Sequence, residues 1–114
     1  MQTHQMSLNE EAFLQIQKGE KTIEVRLFDE KRQLVQIGDG IHFSLVGDAT
    51  QTIKTKVLAL HRFPDFSSLF SEEILLKSGF AGYTKEGAVD CMHTYYSPER
   101  EEKYGVLGIE IEKI

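Results

Sequence analysis

Gly19-Glu20-Lys21-Thr22-Ile23-Glu24-Val25-Arg26-Leu27 is where the character of the chain changes. Before Gly19 the apolar residues Phe13, Leu14 and Ile16 fall at helical spacing; from Ile23 they fall on every second residue. Such a switch across a glycine marks a helix that stops and a strand that starts, because glycine accepts the left-handed conformation of a helix C-cap. Ser7 or Asn9 can cap that helix, and Glu10 and Glu11 suit the positive end of its dipole. In the strand, Ile23, Val25 and Leu27 form one face and Thr22, Glu24 and Arg26 the other, stepping about 6–7 Å per pair of residues. With Lys21 just ahead, an ammonium, a carboxylate and a guanidinium stand in a row. They can hold a polar ligand by charge-assisted hydrogen bonds. A glutamate beside two cations stays ionised, so it serves as acceptor or base rather than as acid. The plainer reading is a solvated strand face with cross-strand ion pairs worth a few tenths of a kcal/mol.

Outward from this stretch, Gln2 to Ser7 reads as a short strand, with His4 and Met6 on one face. Asp29 to Leu34 reads as a charged turn. Gly38-Asp39-Gly40 launches a strand over Ile41 to Val46, and Gly47-Asp48 closes a hairpin into a long strand over Thr52 to Phe63. Pro64-Asp65 ends the sheet run. Ser67 to Gly79 predicts two short helices capped by Ser67 and Ser71. Thr84 to Tyr95 predicts another, weakened by Gly87 and broken by Pro98. Tyr104 to Ile114 is a closing strand whose even-numbered side is the wetter. The expected architecture is α+β and mainly β: a small barrel of five to six strands flanked by short helices. A doubly wound sheet needs strands alternating with helices, which the middle of the chain lacks.

The length of 114 residues suits one domain over 1–114, and 40% hydrophobic with 27% charged residues suits an ordinary globular chain. The net charge of -5 argues against a wholesale polyelectrolyte binder of DNA or anionic membrane. It leaves room for a small basic site: residues 18–32 carry five bases and four acids, net +1, against −6 elsewhere. No stretch approaches the roughly 18 apolar residues of a membrane span, and the first residues lack the pattern of a signal peptide. A cytoplasmic location is expected. Cys91, the one cysteine, cannot form an intramolecular disulfide; it reads as a small buried hydrophobe rather than a nucleophile. His4, His42, His61 and His93 show no metal-ligand spacing, so neither metal nor cofactor is expected. Tyr83, Tyr95, Tyr96 and Tyr104 are candidates for stacking on bases, or else pack the edge of the core with a wet hydroxyl.

Several ordered pieces resemble the ASCH domain family, small stand-alone bacterial or archaeal proteins of the PUA-like superfamily. They are Gly19, Lys21, Glu24 and Arg26, then Asp29-Glu30-Lys31-Arg32, Gly38-Asp39, Tyr95-Tyr96 and Tyr104-Gly105-Val106-Leu107-Gly108-Ile109. The resemblance spans nearly the whole chain. It implies a PUA-like β-barrel with a cleft for RNA or a nucleotide, lined by Lys21, Glu24 and Arg26. Thr22, Arg32, Tyr95, Tyr96 and Tyr104 join them as expected ligand-binding residues. Some members are hydrolases, among them a branch that deacetylates N-acetylcytidine and at least one ribonuclease. That branch resembles this chain at Gly19, Lys21, Thr22, Ile23 and Arg26, but has a catalytic threonine where this chain has Glu24. Its helical-insertion glutamate has no equivalent near Phe80 to Gly82.

Three readings follow. The first is a module that binds RNA or a small nucleotide or nucleoside. The second is a hydrolase of a modified nucleoside or of single-stranded RNA, with Lys21 and Glu24 catalytic. The third is a protein-interaction domain without a nucleic-acid ligand. The expected assembly is a monomer or weak homodimer, with no membrane partner.

Overall fold

The computed structural model describes Met1–Ile114. Its five strands are β1 (Thr3–Leu8), β2 (Ile23–Leu27), β3 (Gly40–Leu45), β4 (Asp48–Phe63) and β5 (Val106–Lys113). They form one sheet in the order β1-β3-β4-β5-β2, with β1 parallel to β3 and every other pair antiparallel. The curl comes from β4: its first half pairs with β3 and its second half with β5, with a register shift between Val57 and Ala59. An irregularity of this kind bends a strand and increases its twist. The result is a five-stranded half-barrel rather than a closed one, because β1 and β2 do not pair across the remaining gap.

Five short helices flank it: α1 (Glu10–Gln17), α2 (Phe66–Leu69), α3 (Glu72–Lys77), α4 (Lys85–Met92) and α5 (Pro98–Tyr104). Asn9 caps α1, Ser71 caps α3 and Thr84 caps α4, each through a side-chain oxygen that accepts from a main-chain N–H. Two expectations need correction here. Asp65, not Ser67, caps α2. Pro98 does not merely end a helix; it begins α5, capped by Ser97, because a proline at the first helical position lacks only an N–H that would be unpaired anyway. Consequently β5 starts at Val106 rather than Tyr104, after Gly105 turns the chain at φ 72° with Phe63 O only 3.0 Å from where a Cβ would sit.

Apolar residues divide between the two faces of the sheet. Met6, Leu8, Phe13, Ile16, Phe43, Leu107 and Ile109 fill the concave side, which α1 closes. Ile23, Val25, Leu27 and Val106 lie on the other side, beneath Phe66, Leu69, Phe70 and Met92 of the helical insertion. Each such side chain, fully buried, contributes roughly 1.5–3 kcal/mol. The even-numbered side of β5 is therefore wet only from Glu110 onward, since the insertion covers Val106 and Gly108. Glu101 ties α5 into this second core. Its carboxylate accepts from Phe66 N at 2.7 Å and stands 2.6 Å from His93 Nε2. No helix is long and apolar enough to cross a membrane.

Candidate functional site

The two unpaired strands meet at a seam that side chains bridge. Arg26 on β2 donates from Nη2 to the main-chain oxygen of Ser7 on β1 at 2.8 Å, and Lys31 donates from Nζ to Gln5 O at 2.6 Å. Above Arg26 the seam widens into a cavity of about 200 Å³. That is room for several waters or one ring-sized group, and it is below the volume of drug-sized ligand pockets.

β2 supplies the floor. Antiparallel partners share a face, and Glu24 and Arg26 lie opposite Ile109 and Leu107 of the concave core. Their side chains are thus turned into the half-barrel, not out to solvent, and the solvated-face reading fails: Glu24 is 4% exposed. Its Oε1 lies 2.7 Å from Lys21 Nζ and its Oε2 2.6 Å from Arg26 Nε. Lys21 is placed by the end of α1. The N–H groups of Glu20 and Lys21 both donate to Gln15 O, around Gly19 at φ 79°.

Burial opposes charge on Glu24, but Lys21 and Arg26 outweigh it and hold the carboxyl at about 2, down from an ordinary 4.5. Burial likewise opposes charge on Arg26, yet Glu24, with the Tyr96 hydroxyl beside it, raises its pKa. The three groups together carry +1.

The walls are aromatic and polar. Phe80, Tyr83, Tyr95 and Tyr96 line one side; Asn9, Glu11, Ala12 and Gln15 of the α1 region line the other, and the Glu11 carboxylate offsets the +1 of the floor. Core rings brace most of the aromatics: Phe70 meets Phe80 edge-on at 5.3 Å, Phe80 meets Tyr83 at 5.1 Å, and Tyr96 stacks on Phe66 at 6.2 Å. Tyr95 is 60% exposed and is tethered by Asn9, whose Nδ2 donates to its hydroxyl at 3.1 Å. Gly79 passes so close that a Cβ there would lie 2.5 Å from Gln15 Oε1 and 3.4 Å from Lys21 Cδ.

Of the residues singled out from the sequence, Lys21, Glu24, Arg26, Tyr83, Tyr95 and Tyr96 converge on this cavity. Three others stand elsewhere. The main chain of Thr22 locks the start of β2, its N–H donating to Lys77 O and its oxygen accepting from Ile111 N. Arg32 pairs with Asp29 at 3.1 Å, and Tyr104 donates to Glu30 at 2.9 Å. His61 faces Glu110 and His4 faces Asp39, both away from the cavity. Cys91 is half-buried on the cavity wall, more open than a core position. Ser7, Asn9, Gln15 and Phe80 were not singled out as site residues; the sequence marks Ser7 and Asn9 only as candidate caps of α1, which packs on β1 and β3.

A curled, mainly β half-barrel of five strands with five short helices matches the ASCH/PUA-like fold. The ASCH domain family model matches residues 6–114, and the chain belongs to the ASCH domain family. Among solved structures it is similar to the hypothetical protein PH0355, with 36% identity, TM-score 0.87 and 100% of each chain covered. It is also similar to protein PF0455 from Pyrococcus furiosus, with 32% identity, TM-score 0.75, and 98% and 97% of the two chains covered. A protein called ZmASCH, from Zymomonas mobilis, shares the fold at TM-score 0.69 and 15% identity, over 98% of this chain and 70% of that one. No curated protein matches the chain.

Proposed function

We propose that the chain, acting as a single ASCH domain, binds a base of single-stranded RNA or of a small nucleotide in the cavity above Lys21, Glu24 and Arg26. The observation that carries this reading is the +1 triad on the floor of a ring-sized cavity with aromatic walls. Lys21 and Arg26 supply donors for carbonyl or phosphate oxygens, Glu24 accepts from a ring N–H or an exocyclic amine, and Tyr95 offers a stacking face.

The hydrolytic reading asks Glu24 to take a proton from water. A carboxylate held at about 2 by two cations is a weak base for that task, since general bases work best near the operating pH. The Ser78 hydroxyl, on the wall, is spent on Ile74 O. Binding is therefore the better-supported reading.

Calorimetric titration with five-nucleotide single-stranded RNAs tests it, using wild type, Lys21→Ala and Tyr95→Ala. Saturable binding that weakens at least fivefold in both variants supports the proposal. Tyr95 is exposed, so its variant keeps the fold as a control. Equal affinity in all three proteins, or no binding by any, favours a protein-interaction domain.

A further inference from the structure

We infer that the cavity floor reads the imide edge of a uracil-type ring, in which a central N–H lies between two carbonyl oxygens. This rests on the base-binding reading above and deepens it. The floor presents, in order, the Lys21 ammonium, the Glu24 carboxylate and the Arg26 guanidinium, at 2.7 and 2.6 Å from one carboxylate oxygen each. In hydrogen-bonding terms that is donor, acceptor, donor.

The flanking groups retain donors for a ligand. Lys21 has three ammonium protons, and one is directed at Glu24. Arg26 has five donors, of which Nε serves Glu24, one on Nη2 serves Ser7 O and one faces the Tyr96 hydroxyl, leaving two. Both side chains line the cavity. Neither cation can accept a hydrogen bond, so the outer positions demand acceptors from the ligand. The centre demands a donor, because Glu24 stays ionised and has no proton to give.

Uracil, cytosine and guanine then separate by chemistry. Uracil offers acceptor, donor, acceptor and satisfies all three positions. Cytosine sets its bare N3 against the carboxylate and its amine against a cation, two mismatches against floor side chains that are themselves largely buried. Such unpaired buried groups cost far more than a missing contact, and sites built on hydrogen bonding discriminate strongly for this reason. Guanine places its N1–H correctly but turns its amine toward a cation.

Calorimetry on the wild-type protein with the 5′-monophosphates of uridine, 3-methyluridine, cytidine and guanosine tests this without any variant. The expected result is that uridine monophosphate binds at least tenfold more tightly than each of the other three. Methylation at N3 removes the central donor and sets a methyl group against Glu24 while leaving both carbonyls, so its effect reports on the central position. Equal affinity for all four would mean that phosphate alone is held; it would overturn the uracil assignment and leave nucleotide binding standing. Preference for cytidine or guanosine would do the same. No binding by any of the four would overturn the uracil assignment and count against base binding as well. In a second arm, Glu24→Gln, whose amide adds a donor at the centre, is expected to narrow the uridine-to-cytidine ratio by at least threefold; an unchanged ratio would contradict the role given to Glu24.

Discussion

Arg26 Nη2 donates to Ser7 O across 2.8 Å, joining the two strands that the sheet leaves unpaired. The same guanidinium holds Glu24 through Nε at 2.6 Å. One side chain thus spans the barrel's gap and carries part of the floor of the cavity. Removing it should cost both structure and binding. Arg26→Met leaves Glu24 with one cation and Ser7 O without its donor, which for buried pairs costs about 3–5 kcal/mol. Arg26→Lys keeps the charge but cannot reach both partners at once, and should lie between. Urea unfolding measures the series; a methionine variant within about 0.5 kcal/mol of wild type would remove the seam from the explanation of stability.

Glu24 makes stability depend on pH in a defined direction. Its folded pKa lies below its unfolded one, so its stabilisation is complete above about 4.5 and fades as pH falls toward about 2. The amount is on the order of 3 kcal/mol. Asp39 adds to the same acid limb: hydrogen bonds from His4, Gln2 N and Gln36 N bring it from 3.8 to about 2. Glu24→Gln should be less stable at neutral pH, with two buried cations left uncompensated, and should lose less stability between pH 5 and 3 than wild type. Parallel slopes for the two proteins over that range would contradict the assignment.

Gly79 tests how tightly the cavity wall is built. Its φ of 86° lies in the left-handed region, and a Cβ would displace Gln15. Gly79→Ala should cost about 1–2 kcal/mol from backbone strain alone. Gln15→Ala in the same chain removes the clash but not the strain, so the double variant should recover only part of the loss. Full recovery in thermal unfolding would show that the backbone tolerates alanine there.

Tyr95 separates binding from stability. It is 60% exposed and touches the fold through Asn9. Tyr95→Ala should change stability by less than about 0.5 kcal/mol. If a base stacks on it, RNA affinity should fall about five- to hundredfold. An unchanged affinity would take Tyr95 out of the interface.

Much of this fold was legible in residue patterns, and the failures have identifiable causes. The switch of period at Gly19 located α1 and β2, and the turn at Gly38-Asp39-Gly40 located β3. Period two divides a strand into faces but does not say what covers each one. Glu24 and Arg26 looked equally suited to solvent; the pairing of β2 with β5 turns them inward, and that pairing joins residues about 80 positions apart. Pro98 was read only as a breaker, although Ser97-Pro98-Glu99 is also the signature of a helix start. The same limit applies to the site. Arg32 and Tyr104 carry chemistry suited to a nucleotide, but local acids, Asp29 and Glu30, draw them away. Phe80 and Gln15 gave no sign, since their place on the wall depends on how the helical insertion docks against α1.

The most direct test is amide chemical-shift mapping of the 15N-labelled protein with a short single-stranded RNA. The predicted result is a set of perturbations confined to Ser7–Asn9, Lys21–Arg26, Gly79–Tyr83 and Cys91–Tyr96, weakened in Lys21→Ala. Perturbations centred on the β3–β4 hairpin, or none at saturating RNA, would contradict a base-binding cavity at the seam.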